Sequence, residues 1–188
     1  MIKNIIKSTR AVLDIENGGF SQNAGIVEIA LLVIDENYQP LEKYSAIIQP
    51  YFIEGTEELM SYSRKAAEIH GITIEDQERE GVPPRESVKE IEDILQTYNV
   101  QEFIGHNIKK FDAPRMAQFF DRFSTYKKEN PFEAKELTCT MEMAKNYISL
   151  GSYSLASCCN YFEICNEDAH RALSDVMATA QLLQYLEE

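Results

Sequence analysis

Two carboxylates stand two positions apart near the end of an apolar run, residues 11–16 (AVLDIE). This run predicts a β-strand, in which successive side chains alternate between faces, so Asp14 and Glu16 share one face. Two buried carboxylates on one face repel each other, and a divalent cation between them removes that cost. The alternative is a strand end at which both acids reach water, and this pair alone favours that alternative.

A second group of polar residues lies in residues 104–114 (IGHNIKKFDAP). His106 and Asn107 directly follow a short predicted strand, and the carboxyl ends of strands are frequent site positions in α/β sheets. Asp112 stands just before a helix that is opened by a proline, where an N-cap or first-turn aspartate is commonplace. Capping is therefore the simpler interpretation of Asp112 taken alone.

A third group lies in residues 169–175 (AHRALSD), at the start of the last predicted helix. Helical spacing places Asp175 on one stripe with Ala172, Thr179 and Leu182. A carboxylate on such a small, mostly apolar stripe is costly unless a cation meets it. His170 precedes the helix, and because histidine has an ordinary pKa near ~6.5 it can accept a proton near neutral pH. A lone histidine at this position is otherwise a loop residue bonded to the backbone.

Together the three groups supply oxygen ligands and one base: Asp14, Glu16, Asp112, Asp175 and His170. Carboxylates without thiolates suit Mg²⁺ or Mn²⁺ better than zinc. Four carboxylates can hold two such ions roughly 4 Å apart, the arrangement used for in-line attack on a phosphodiester. The pattern predicts metal-assisted phosphoryl chemistry, with the histidine accepting a proton from water.

The cysteines offer a different metal site, formed by Cys158, Cys159, Cys165 and His170. Their spacing fits no usual zinc motif, so we expect the four cysteines of the chain, including Cys139, to be buried reduced thiols.

Hydrophobic periodicity predicts three strands joined by short loops, followed by helices that alternate with short strands. The predicted strands are residues 11–16, 25–34, 41–48, 101–105 and 137–140, and the predicted helices include residues 56–69, 85–98, 154–162 and 172–186. Two further helices are expected around residues 116–123 and 144–147. This order predicts a single α/β domain over residues 1–188, with a mixed sheet that begins with three antiparallel strands and is flanked by helices.

The net charge of −13 is unfavourable for a protein that binds nucleic acid, because phosphate binding favours basic surfaces. A basic group follows Gly105 and comprises Lys109, Lys110, Arg115, Arg122, Lys127 and Lys128. It either borders the site or forms a solvated helix face. The sequence has no apolar stretch of roughly 18 residues and no signal-peptide pattern, so we expect a cytoplasmic protein without membrane association.

With these motifs in order, the chain resembles the DnaQ-like, DEDDh-type 3′→5′ exonucleases, which have an RNase H-like fold. The matching stretches are residues 14–16 (DIE), 106–112 (HNIKKFD) and 170–175 (HRALSD). Residues 26–30 (IVEIA) and 70–73 (HGIT) resemble two further family stretches, and Thr179 fits the continuation of the last helix. The resemblance covers nearly the whole chain.

The resemblance implies an exonuclease that removes mononucleotides from single-stranded 3′ ends of DNA or RNA. It implies that Asp14, Glu16, Asp112 and Asp175 bind two Mg²⁺ or Mn²⁺ ions, and that His170 is the general base. The residues implied to contact the terminal nucleotide are Glu16, Asn17, Phe20, His70, His106, Asn107 and Phe111. Association with a polymerase is left open.

Two departures from the family pattern concern substrate contacts. Asn17-Gly18-Gly19 stands where many members have Thr-Thr-Gly, and three residues instead of two separate His-Asn from Phe-Asp, a spacing shared by the TREX-like branch. One alternative is an exoribonuclease specific for RNA, whose 2′-hydroxyl contacts cannot be located from sequence. The other is a non-catalytic binding module, which the negative charge favours and the intact ligand and base positions oppose.

Overall fold

Five strands form one mixed sheet in the computed structural model, which describes residues 9–21, 23–125 and 129–188. The strands are β1 (Thr9–Asn17), β2 (Ile26–Ile34), β3 (Pro40–Ile47), β4 (Val100–Gly105) and β5 (Glu136–Cys139). Their order across the sheet is β3-β2-β1-β4-β5, with β1 in the centre. β1 to β3 are antiparallel, whereas β4 runs parallel to β1 and β5 runs parallel to β4. The predicted α/β fold with a mixed sheet is confirmed.

Helices cover both faces of this sheet. They are α1 (Arg64–His70), α2 (Ile74–Glu80), α3 (Pro84–Thr97), α4 (Asp112–Phe123), α5 (Pro131–Ala134), α6 (Thr140–Tyr147), α7 (Leu155–Phe162) and α8 (Ala172–Glu187). Buried residues of α3 and α4 pack on one face, and α8 packs on the other. None of the helices in the described ranges is long and apolar enough to cross a membrane.

β1 divides its side chains between these two layers. Leu13 and Ile15 belong to the core beneath α3 and α4, whereas Val12 packs with α8. Because side chains alternate along a strand, Asp14 and Glu16 share the α8 side with Val12. The central strand therefore directs its two carboxylates toward the helix that carries Asp175.

The helix predicted for residues 56–69 is wrong in its first half, because α1 begins only at Arg64. Ser63 caps α1 by accepting a hydrogen bond from the backbone N–H of Ala66. The preceding residues form a turn at 54–57, flanked by an antiparallel bridge between Phe52 and Leu59. Helical spacing of apolar side chains was misleading there because the backbone groups pair with neighbouring extended segments instead.

The short helix α2 was not predicted, although its start has a recognisable signal. Thr73 and Asp76 form a reciprocal capping box, in which each side chain accepts from the other residue's backbone N–H. Only Gln77 is buried in this helix, so the sequence has no apolar stripe from which the helix could be recognised.

The thiols follow the prediction with one exception. Cys139, Cys158 and Cys159 are buried and free, whereas Cys165 is exposed. Cys165 lies in the segment between α7 and α8, outside the packed helix faces.

Candidate active site

Four acidic side chains converge at the end of β1. Asp112, the first residue of α4, is only 2% exposed, and its Oδ1 accepts a hydrogen bond from the backbone N–H of Ile15 at 3.3 Å. Asp14 is close enough to Asp112, Asp175 and Glu16 for their charges to raise its pKa. Acids from the beginning, middle and end of the chain therefore share one site.

Of the two helix-start positions expected for Asp112, the structure shows the first turn of α4 and not the N-cap. The cap position of α4 belongs to Phe111, and no side chain caps this helix. Asp112 instead lies inside the first turn, and its carboxylate accepts from the neighbouring strand. Its position is thus set by β1, which also carries Asp14 and Glu16.

The electrostatics of this cluster favour neutralisation of its carboxylates. Burial raises the pKa of Asp112 to about 7. Burial, followed by the charges of Asp175, Glu28 and Asp112, raises the pKa of Glu16 to about 8. Burial and the neighbouring carboxylates also hold the pKa of Asp14 well above its usual range. Ionising these groups together at neutral pH requires an external positive charge, and hard oxygen ligands of this kind fit Mg²⁺ or Mn²⁺.

His170 and Asp175 are positioned by the turn that precedes α8. The carboxylate of Asp175 accepts hydrogen bonds from Asn166 Nδ2 at 2.6 Å and from the backbone N–H of His170 at 3.3 Å. One ligand atom each of Glu16, His170 and Asp175 lie within 4.8 Å of one another. His170 has a left-handed backbone with φ of 68° and an exposed side chain, so a basic ring borders the acidic cluster on its solvent side.

His106, one of the predicted substrate contacts, is held by the protein through both ring nitrogens. Nε2 is 2.8 Å from the carbonyl oxygen of Tyr153, and Nδ1 is 3.0 Å from the hydroxyl of Thr140. A carbonyl can only accept, so Nε2 carries the proton and Nδ1 accepts from Thr140. His106 thus fixes the loop after β4, in which Asn107 has a left-handed backbone with φ of 70°.

Asn17 and His70 are buried polar residues with atoms that lack hydrogen-bond partners. Within the described residues, no partner is found for either polar side-chain atom of Asn17 or for Nε2 of His70. His70 accepts through Nδ1 from the backbone N–H of Ile72 at 3.1 Å, and burial lowers its pKa. Unpaired buried polar groups are costly, so these atoms suit a ligand or water that supplies the missing bonds.

The two aromatic residues implied to contact the substrate differ in exposure. Phe20, in the loop after β1, is 87% exposed. Phe111 is half-buried, and the guanidinium of Arg115 lies 5.0 Å from its ring centroid. An exposed aromatic ring next to an acidic site is suited to stacking on a nucleic-acid base.

The residues of the predicted basic group lie in different surroundings. Lys109 forms an ion pair with Glu142 at 2.7 Å, and Lys110 is exposed. Arg115 is close enough to the cluster to oppose the rise in the pKa of Asp112. Lys127 and Lys128 lie outside the described residues.

Sequence reasoning missed Glu28 and Arg171 as a pair that supports the site. Glu28 lies on β2 directly opposite Glu16 and is 2% exposed. Its carboxylate accepts from the guanidinium of Arg171 at 2.7 and 3.2 Å, and from the backbone N–H of Ala172 at 2.9 Å. A strand carboxylate therefore caps α8, whose own cap residue supplies no side-chain bond. The available signal was one acid in an otherwise apolar nine-residue strand, IVEIALLVI.

A comparison with known protein families agrees with this fold. The model of the RNase_T exonuclease family matches residues 11–183. The chain belongs to this exonuclease family, within the DnaQ-like exonucleases of the RNase H-like superfamily.

Two relatives are similar over nearly the whole chain. DNA polymerase III subunit epsilon of Aquifex aeolicus is 26% identical over 193 residues, which cover 100% of this chain and 85% of that protein. DNA polymerase III PolC-type of Thermotoga maritima is 29% identical over 183 residues, which cover 96% of this chain but only 12% of that protein.

Solved structures of exonuclease I have the same fold. One superimposes with a TM-score of 0.78 at 18% identity, and covers 96% of this chain and 41% of the exonuclease I chain. Another, of E. coli exonuclease I in complex with a dT13 oligonucleotide, has a TM-score of 0.76 at 17% identity and the same coverage. The chain thus spans less than half of exonuclease I, and at these identities the likeness concerns the fold.

Proposed function

We propose that this chain is a divalent-metal-dependent 3′→5′ exonuclease that removes mononucleotides from single-stranded DNA. One observation carries the proposal, the convergence of four carboxylates at the end of β1, where burial raises the pKa values of Asp14, Glu16 and Asp112. Within residues 9–21, 23–125 and 129–188, no lysine or arginine forms an ion pair with Asp14, Glu16, Asp112 or Asp175. The cluster is therefore arranged for cations from solution.

Asp14, Glu16, Asp112 and Asp175 would hold the ions. Two bound Mg²⁺ or Mn²⁺ ions would activate the attacking water and stabilise charge on the leaving oxygen. His170 accepts the proton that the water loses, since its exposed ring borders the acidic cluster and a histidine can take a proton near neutral pH. The backbone N–H of His170, bound to Asp175, ties the position of the base to that of a ligand.

The protein also offers groups for the terminal nucleotide. The unpaired buried atoms of Asn17 and His70 can bond its sugar or phosphate, and Phe20 can stack on a base. Glu16, Asn107, Phe111 and the loop fixed by His106 complete the proposed contact set. Asn17 retains both donor and acceptor capacity where many family members have a hydroxyl side chain.

The similarity to a polymerase III epsilon subunit, and to exonuclease I bound to dT13, supports DNA as the substrate and a DNA polymerase as a candidate partner. A single-stranded end as substrate also agrees with the net charge of −13. Binding a few nucleotides of one strand requires fewer phosphate contacts, and so fewer basic residues, than binding a long duplex.

The test is digestion of oligonucleotides labelled at one end. With Mg²⁺, a 5′-labelled DNA strand should give a ladder shortened by single nucleotides, and a 3′-labelled strand should release labelled mononucleotide at once. Chelator and Asp112→Asn should each stop both reactions. Release of internal fragments, or digestion from the 5′ end, would exclude the proposal, and an RNA strand run in parallel measures the sugar preference.

A further inference from the structure

A cavity of about 400 Å³ lies beside α4, outside the acidic cluster. Its apolar wall is aromatic and is formed by Tyr51, Phe119 and Phe123, whose rings contact one another edge to face. Asn23, Arg115 and Arg122 supply polar groups to the same cavity. Flat aromatic surfaces next to planar cations are the surroundings in which nucleic-acid bases and phosphates bind.

The two arginines of this cavity form no ion pair with any acid of the described residues. Within the described part of the chain, neither guanidinium lies within ion-pair distance of a carboxylate, although acidic residues outnumber basic residues 31 to 18. Arg122 lies 4.8 Å from the ring centroid of Phe123 and 5.5 Å from that of Tyr51. Stacking therefore orients this guanidinium while it leaves its hydrogen-bond donors free for an anion.

Arg115 connects the cavity to the active site. It follows Asp112 by one helical turn, lies over the ring of Phe111, and is placed to donate to the backbone carbonyls of Ser21 and Ala24 at 3.4 Å. Those carbonyls belong to the loop that carries the exposed Phe20. Arg115 thus lies between the acidic cluster, where its charge acts on Asp112, and the cavity that it helps to line.

We propose that this cavity binds the single strand a few nucleotides upstream of its 3′ end, with Arg122 on a backbone phosphate and the aromatic wall against a base. This proposal rests on the proposed exonuclease function, because the occupant is the same strand whose terminus is cleaved. The carboxylates of Glu54 and Asp121 line the exposed margin of the cavity. They disfavour the second strand of a duplex, so the site selects a single strand.

Binding measured without hydrolysis tests the proposal directly. In EDTA, the affinity for a 5′-fluorescein-labelled dT12 is compared between the unmodified protein, Arg122→Gln and the control Arg85→Gln, which removes an exposed arginine of α3. Arg122→Gln should weaken binding about fivefold to tenfold, and the slope of log K against log salt should fall by about 0.7, the contribution of one phosphate contact on a single strand. Arg85→Gln should bind as the unmodified protein does.

A second variant and a length series make the test independent of any one substitution. Gln118→Glu places a negative charge at an exposed position that lines the cavity, and it should also weaken dT12 binding without affecting thermal unfolding. The affinity of the unmodified protein should rise steeply between dT2 and dT6, and Arg122→Gln should lose most of that rise.

The outcomes separate the cavity from the catalytic function. If Arg122→Gln and Gln118→Glu bind dT12 as tightly as the Arg85→Gln control, or if the unmodified protein does not bind dT12, the cavity proposal is wrong. Loss of dT12 binding in both variants supports the cavity proposal even if the unmodified protein hydrolyses no strand, a result that would overturn the exonuclease function alone.

Discussion

Two buried carboxylates in this protein have opposite electrostatic surroundings. Glu28, at the junction of β2 with α8, and Asp112, at the junction of β1 with α4, are each 2% exposed. Glu28 accepts from Arg171 and from the first N–H of α8. Asp112 accepts one backbone hydrogen bond from Ile15 and faces Asp14.

The difference separates an acid that holds the fold together from acids that the proposed function assigns to metal ions. A buried carboxylate with a guanidinium and a helix N–H has its charge and hydrogen bonds satisfied by the protein. A carboxylate with acidic neighbours keeps a raised pKa until a cation arrives. The effects of substitution should therefore have opposite signs at the two positions.

The largest effect is expected on activity at Asp112. Asp112→Asn removes a proposed metal ligand, so the rate of mononucleotide release should fall about 10⁴-fold, as expected when charge stabilisation at the reacting phosphate is lost. The same variant should unfold at a higher temperature than the unmodified protein in EDTA, because one of the mutually repelling acids is gone.

Asp93→Asn is the matched control for that prediction, since Asp93 is an exposed acid on α3. It should change neither activity nor stability. Retained turnover in Asp112→Asn would contradict the metal-ligand assignment.

The next effect concerns the proposed base. His170→Gln should lower kcat by about 10³-fold, within the usual range for loss of a general base, while Mg²⁺ affinity measured by calorimetry stays within about twofold. The acidic limb of the pH–rate profile should also disappear. An unchanged profile would show that His170 does not accept the proton.

At Glu28 the expected effect is on folding stability. Glu28→Gln leaves Arg171 without its buried partner and weakens the cap of α8, so the free energy of unfolding should fall by about 3 kcal/mol in urea titrations. Arg171→Gln should also destabilise the fold, because it leaves the carboxylate of Glu28, which is 2% exposed, without its guanidinium partner. A Glu28→Gln protein as stable as the unmodified one would remove the contrast with Asp112.

The smallest effect is the pH dependence of the metal-free protein. The pKa values of Asp112 and Glu16 are raised to about 7 and about 8, so both groups bind protons more tightly in the folded state than in the unfolded state. The stability that they contribute is present at low pH and is lost as pH rises through these values. In EDTA, Tm should fall by about 5 °C between pH 6 and pH 9.

Added Mg²⁺ should reduce the fall of Tm with rising pH, because ion binding favours the charged carboxylates. Asp112→Asn in EDTA should reduce it as well. A Tm that rises over the same range in EDTA would contradict the raised pKa values.

Sequence reasoning located the elements whose pattern is local. β1 and β2 are largely apolar runs, β3 follows β2 after a short polar connection, and α8 has an apolar stripe, so their predictions are confirmed within a few residues. The helix predicted for residues 56–63 was wrong because Leu59 and Tyr62 have helical spacing, although the backbone of this segment pairs with Phe52 and Ala24.

The site was predicted to the extent that its residue types are visible along the chain. The acids at positions 14, 112 and 175 were identified, and the structure brings them together. The bond between Glu28 and Arg171 joins residues far apart in sequence, and although each lies in a stretch that resembles the family, neither stretch shows that the two side chains meet. The cavity of Arg115 and Arg122 could not be predicted either. Its wall combines Tyr51, from the segment that follows β3, with one face of α4, and these parts of the chain are far apart in sequence.

The late position of α8 along the chain has a consequence for when the protein becomes active during its synthesis. Ribosomes extend chains from the N-terminus at about 5 to 20 residues per second, so all five strands are made before this helix. An emerging polypeptide with a finished sheet still lacks both Asp175 and the histidine beside it. Under the proposed function, cleavage of DNA therefore waits until α8 docks against the finished sheet.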